Sequence, residues 1–128
     1  MKTIFTVVVA KNNKIQKVDL LCDSEAISIT IESESDKKRT YIESNFYKCF
    51  SLLRKDNPHL TFYCKGAKIN VHPSSMSSQM SLGLKAYELV IGKEPSLNDL
   101  VFIFDYEEHD LTTDPEEQRL FYLNWATS

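Results

Sequence analysis

The chain of 128 residues carries 15 basic and 18 acidic side chains, a formal net charge of −3, and 42% of its residues are apolar. This balance is typical of a globular protein and excludes a disordered or coiled-coil chain. The length predicts a single domain, residues 1–128, with its own hydrophobic core. The small negative charge argues against direct binding of nucleic acid, which usually requires a basic face.

The first predicted element is a strand over residues 3–10, whose run of β-branched and apolar side chains indicates burial on both faces. The run is too short to cross a bilayer and lacks a cleavage site, so we expect no membrane contact and no signal peptide. Asn12 and Asn13 predict a two-residue hairpin turn, because asparagine tolerates positive φ. A return strand is expected over residues 17–22, followed by a turn at 23–25.

Residues 27–32 show the clearest alternation in the chain, with isoleucine at every second position. We predict a half-buried strand whose isoleucines face the core and whose polar side chains face water. The inward set is Ile27, Ile29 and Ile31, and the outward set is Ser28, Thr30 and Glu32. Residues 33–38 predict an exposed hairpin tip, and residues 39–43 a short return strand.

A helix is predicted after Ser44, which is a favourable N-cap residue. Its apolar side chains recur at helical spacing: Phe46, Cys49, Phe50 and Leu53. Its basic side chains are expected on the other faces: Lys48, Arg54 and Lys55. The pair Asn57-Pro58 ends the helix, because proline restricts the residue before it.

The middle of the chain predicts two strands, 60–64 and 68–71, joined by a turn at Lys65-Gly66. A short helix over 75–82 and a strand over 84–91 follow. Ser96 and Asp99 have the spacing of an acidic capping box, which favours a helix through Phe104, with a strand over 101–104 as the alternative.

The last predicted helix has Thr113 as N-cap and Pro115 near its first position. It is expected to run to about Trp125 and to dock through Leu120, Phe121 and Trp125. Together these elements predict the α+β class: a mostly antiparallel β-sheet with two to three helices packed on one face.

No pattern in the sequence predicts a catalytic, metal or cofactor site. The three histidines and three cysteines lack the spacing of zinc ligands, and no phosphate-binding loop or nucleophile elbow occurs. The cysteines are expected to be unpaired, small apolar residues of a reduced, cytoplasmic protein: Cys22, Cys49 and Cys64. We therefore predict no catalytic residues, no metal and no cofactor.

The charge is unevenly distributed along the chain. Residues 94–118 hold nine acidic side chains and no lysine or arginine, whereas the first 64 residues are slightly basic. A local acidic field of this kind attracts a cationic partner, although such runs are often only solubilising. We predict that the partner-binding residues lie in the middle of this run: Asp105, Tyr106, Glu107, Glu108, His109 and Asp110.

Residues 45–106 contain a set of short motifs at characteristic spacing: Asn70-Val71-His72-Pro73-Ser74, Lys85-Ala86-Tyr87, Gly92-Lys93 and Asp99-Leu100-Val101, with Met76 and Met80 between the first two. In this respect the chain resembles a family of small bacterial proteins, which has tyrosine at the place of His72. The resemblance implies an immunity protein of a contact-dependent growth inhibition system. It carries over no catalytic residue.

Three functional hypotheses follow. The first is an immunity protein, not an enzyme, that binds a cognate, basic, nuclease-type toxin domain in a 1:1 complex in the cytoplasm. The second is a small enzyme with a site around His72 and the serine-rich loop 74–78, which requires a concave pocket there. The third is a structural or regulatory subunit that forms oligomers through an exposed strand edge.

Overall fold

The computed structural model describes residues 1–32 and 37–128 and confirms the α+β class. Its strands form two antiparallel sheets, one of five strands in the order β4-β3-β2-β1-β5 and one of three in the order β6-β7-β8. The strands are β1 Lys2–Lys11, β2 Lys14–Asp23, β3 Ser28–Glu32, β4 Lys38–Ile42, β5 Thr61–Phe62, β6 Val71–His72, β7 Lys85–Glu88 and β8 Leu100–Phe102. The helices are α1 Phe46–Asp56, α2 Ser75–Ser81 and α3 Pro115–Ala126, with 3-10 turns at Lys65–Ala67 and Leu97–Asp99.

The first hairpin forms as the asparagine pair predicts. Asn12 and Asn13 have φ values of 52° and 65°, and β1 and β2 pair over their full length on either side of them. Burial of β1 on both faces is wrong: Val7 and Val9 lie in the core, but Ile4 is 62% exposed. The reason is that α1 packs against one face of this sheet, over β3 and β4, whereas apolar side chains on the opposite face, such as Ile4 and Ile15, are exposed.

The alternating segment forms β3, with Ile29 and Ile31 buried as predicted. Ile27 instead lies in the preceding turn with a φ of 48°, and Ser28 is buried rather than solvent-facing. Most of the predicted hairpin tip, residues 33–36, lies outside the described residues. The return strand β4 matches the prediction to within one residue.

Helix α1 buries the four apolar side chains that its spacing selects. Its N-cap is Asn45 rather than Ser44, because the Asn45 side chain accepts a hydrogen bond of 2.9 Å from the Lys48 amide. The helix ends at Asp56 with Asn57 as its C-cap, immediately before Pro58, as expected.

Aromatic side chains join the two sheets into one core. The Phe5 ring of β1 lies 5.3 Å from that of Phe102 on β8, and Phe50 of α1 meets both Phe62 and Phe104 edge-on at 5.3 Å. Such edge-to-face pairs add a favourable term beyond the apolar area that they bury. The three cysteines are unpaired and buried, as predicted.

The segments around Gly66 do not form the predicted hairpin. Strand β5 pairs with β1 and strand β6 with β7, and a 3-10 turn separates them. Strand β7 is half as long as expected, whereas α2 matches its prediction to within one residue. The short strands reflect a chain that crosses from one sheet to the other at this point.

Substitution of Gly66 by alanine is expected to destabilise the protein by about 1–3 kcal/mol. A Cβ atom there would stand 2.8 Å from the Ile103 Cβ and 3.0 Å from the Ile103 carbonyl oxygen, so the backbone would have to shift. Urea denaturation followed by circular dichroism measures the change in the free energy of unfolding. A stability equal to that of the wild type would show that the core adapts without cost.

The predicted helix over 95–104 is wrong, and its strand alternative is closer. The capping box of Ser96 and Asp99 exists but closes only a 3-10 turn, after which β8 pairs with β7. Helix α3 begins after Asp114 rather than Thr113, with Pro115 in its first turn. Its expected docking through Leu120 is also wrong, because that side chain is 54% exposed and Gln118 is the buried residue.

Candidate functional site

The predicted partner-binding residues lie on one loop, residues 105–112, which we call the acidic strap. The strap is attached to residues 63–69 by four backbone hydrogen bonds. These run from Lys65 N to Asp105 O, Glu107 N to Tyr63 O, Ile69 N to Asp110 O and Thr112 N to Ala67 O, at 2.8, 3.2, 2.8 and 3.0 Å. The strap is therefore held as firmly as an additional strand, although it has no regular secondary structure.

Glu107 anchors the strap from inside. It is 8% exposed, and its carboxylate forms ion pairs with Lys65 at 3.3 Å and Lys68 at 3.0 Å. The other carboxylate oxygen accepts hydrogen bonds from the amides of Glu108 and His109. Glu107 was predicted as a partner contact, but its carboxylate is occupied within the protein, so its role in the structure is to fix the loop.

The stability of the protein is expected to fall in acid through Glu107. Burial opposes ionisation of this carboxyl, but the hydrogen bonds from Lys68, Lys65 and two amides outweigh it and lower its pKa from 4.5 to about 2. A lowered pKa in the folded state gives a contribution that is complete above pH 4.5 and is lost as the pH falls towards 2. Urea denaturation at several pH values tests this.

The matched variant is Glu107→Gln, which keeps the shape of the side chain but cannot titrate. It is expected to be less stable at pH 7 and to lose part of the pH dependence between pH 4.5 and 2. An unchanged pH profile in this variant would mean that other carboxyl groups carry the acid sensitivity.

The other five residues of the predicted site are exposed on the strap: Asp105, Tyr106, Glu108, His109 and Asp110. Tyr106 is 57% exposed and donates a hydrogen bond of 3.2 Å to Glu108, and its ring lies 6.1 Å from that of Tyr63. Further exposed acids follow at the start of α3: Asp114, Glu116 and Glu117. The result is an acidic surface with one aromatic side chain on it.

A buried polar network lies beneath this surface, and the sequence did not predict it. Arg54 is predicted away from the apolar face of α1, as surface charges usually are, but it is 1% exposed. Its guanidinium donates hydrogen bonds to the Thr112 carbonyl at 2.7 Å and to the Gln118 side chain at 2.8 Å. Gln118 in turn donates to the carbonyls of Gly66 and Lys68. The network connects α1, the strap and α3.

His72 lies in a groove between α1 and the start of α3, with a volume of about 340 Å³. Its Nδ1 lies 2.8 Å from the Pro73 carbonyl oxygen, and its ring stacks on Tyr122 at 4.0 Å. The concavity that the enzyme hypothesis requires is therefore present. The serines of loop 74–78 do not line it, and Ser74 and Ser77 instead form the capping box of α2.

The cysteine thiols have little nucleophilic character. Burial raises the pKa of Cys22 and Cys64 to about 12 and that of Cys49 to about 11, so the thiolates are scarce at neutral pH. Within residues 1–32 and 37–128, no three side chains of the metal-binding types come together as a cluster. Over the same residues, no helix has the length and apolar character needed to span a membrane.

Comparison with known proteins gives no assignment. No protein-family model matches the sequence, and no curated protein matches it.

Proposed function

We propose that this protein is an immunity protein that binds and neutralises a cognate, basic, nuclease-type toxin domain in the cytoplasm. The observation that carries the proposal is the acidic strap, a firmly held loop that exposes three carboxylates around Tyr106. The motifs that resemble the bacterial family supply the biological context, and the strap supplies a surface with the matching chemistry.

The strap has two properties that favour binding to a basic protein. Its backbone is already fixed by residues 63–69 and by Glu107, so little conformational entropy would be lost on association. Its exposed acids would raise the association rate with a positively charged partner, and Tyr106 offers an amphipathic ring of the kind that contributes most to binding energy. Nucleases suit this surface because they bind phosphate backbones with basic residues.

The direct test is binding to the products of genes adjacent to the gene for this protein. Each product is purified and titrated by calorimetry at low and high salt, and the complex is weighed by light scattering. We expect a 1:1 complex with a dissociation constant in the nanomolar range that weakens by about tenfold or more at high salt. Absence of binding to every neighbouring product would overturn the proposal.

The alternative functions have less support. The groove at His72 favours the enzyme hypothesis, but the serines assigned to that site lie elsewhere. The enzyme hypothesis would gain support if the protein showed a hydrolytic activity and the His72→Ala variant lost it. The oligomer hypothesis requires an open strand edge. One of the longer edge strands, β4, carries exposed Lys38 and Arg39, which disfavour pairing with a second sheet at that edge.

A further inference from the structure

The groove between α1 and α3 is an open concavity with room for a small molecule. Its volume of about 340 Å³ falls at the lower end of the range for such sites. The side chains of Tyr47, Leu52 and Pro115 give it an apolar lining, and the ring of His72 adds a flat surface. Lys48 and Lys55 lie on the α1 side, seven residues apart and therefore about two helical turns from each other.

The groove is held open by buried contacts beneath it. The Tyr47 hydroxyl donates a hydrogen bond of 2.7 Å to the Val71 carbonyl, which fixes that ring next to strand β6. Arg54 and Gln118 join the two helices that form the sides of the groove, through a hydrogen bond of 2.8 Å. A ligand would therefore find the site already formed, which lowers the entropic cost of binding.

His72 supplies a hydrogen-bond acceptor. Burial lowers the pKa of its imidazole; the contact with the Pro73 carbonyl opposes this shift and the nearby Lys48 charge adds to it, and the net lowering favours the neutral ring. The contact between Nδ1 and the Pro73 carbonyl requires the proton on Nδ1, because a carbonyl only accepts. Nε2 is then the nitrogen that accepts a hydrogen bond.

The groove is lined by three basic side chains, Lys48, Lys55 and Arg119, and by three acidic ones, Glu43, Asp114 and Glu116, and these differ in how far the protein itself engages them. Among the residues that the structure describes, neither Lys48 nor Lys55 forms an ion pair. On the α3 side, both oxygens of Glu116 accept hydrogen bonds from Arg119, and Asp114 caps the helix by accepting from the Glu116 amide. Glu43, near the start of α1, accepts from the Ser44 amide.

We propose that this groove binds a small organic anion with a flat apolar body and a hydrogen-bond donor. The anionic group would lie against the ammonium groups of Lys48 and Lys55, the body would cover the apolar lining, and the donor would meet Nε2 of His72. This site lies outside the acidic strap, although Asp114 and Glu116 on its α3 side belong to the adjoining acidic surface, and the proposal does not depend on toxin binding.

The test uses 4-hydroxybenzoate as the probe and the NMR signals of the His72 ring as the readout. For a ligand of this size we expect a dissociation constant of about 1 mM. Two related compounds separate the interactions. 4-Hydroxybenzamidine has the same body with a positive group and should bind at least about tenfold more weakly, and benzoate lacks the donor and should bind several-fold more weakly.

Variants identify the residues involved. Lys48→Glu and Lys55→Glu should each weaken binding of 4-hydroxybenzoate by about fivefold or more, whereas Lys14→Glu, at an exposed position in the first hairpin, should not. His72→Phe keeps a flat ring in the groove and should remove the advantage of 4-hydroxybenzoate over benzoate; because this variant lacks the His72 signals, its binding is followed through the NMR signals of the probe itself. Unchanged His72 signals at about 10 mM probe, or equal binding of the benzamidine, would overturn the proposal.

Discussion

Replacement of Arg54 by methionine is expected to destabilise the protein by about 2–4 kcal/mol. Methionine fills similar space but makes no hydrogen bond, so the Thr112 carbonyl and the Gln118 side-chain oxygen would lose their buried donors. Part of the loss is offset because burial disfavours the guanidinium charge and lowers the pKa of Arg54 to about 10. The net effect is still large, because three segments of the chain meet at this side chain.

The control is Lys55→Met, which makes the same change in charge at the next residue, an exposed one. Urea denaturation followed by circular dichroism should place it within about 0.5 kcal/mol of the wild type. Gln118→Met and the double variant complete a mutant cycle, and the two substitutions should be clearly non-additive. A loss below about 1 kcal/mol for Arg54→Met would mean that the network contributes little to the stability of the fold.

Reversal of three charges on the acidic strap should have the largest effect on the proposed binding to a toxin domain. Changing Asp105, Glu108 and Asp110 to lysine replaces attraction by repulsion, and we expect the association rate with a basic toxin to fall by at least about tenfold at low salt. The difference should shrink at high salt, because exposed charges are screened. Surface plasmon resonance at two ionic strengths measures both effects.

A matched variant distinguishes the strap from the net charge of the protein. Changing Glu25, Glu32 and Glu43 to lysine alters the net charge equally but at exposed positions outside the strap. We expect this variant to lose less than about threefold in association rate. If the association rate falls equally in both variants, the strap is not the interface, although the proposal that the protein binds a toxin would not be contradicted.

The sequence by itself determined the elements whose signals are local. The asparagine pair fixes the first hairpin, because positive φ at two successive residues is a property of those residues and their neighbours. The four apolar residues of α1 define its buried face by spacing alone, and Pro58 ends it. The α+β class followed from such elements, since their order and type require only short-range patterns.

The tertiary structure alone decided features that depend on residues distant in sequence. The capping box at Ser96 and Asp99 is present, yet the following residues become β8, because pairing with β7 outweighs a short-range helical preference. Arg54 and Glu107 carry sequence signals of ordinary surface charges. Each is buried with partners that are distant in sequence: Gln118 is 64 positions from Arg54, and Lys65 and Lys68 are 42 and 39 positions from Glu107.

Contacts between residues distant in sequence also decided which residues form the acidic surface. The acidic run near residue 105 was visible as a composition, but which acids face solvent depended on where the chain placed Lys65 and Lys68. A buried charge is stable only where oppositely charged or hydrogen-bonding groups contact it, and the packing of the whole chain decides which groups do so. The negative charge of the chain was therefore determined by the sequence, and the surface that it forms was determined by the tertiary structure.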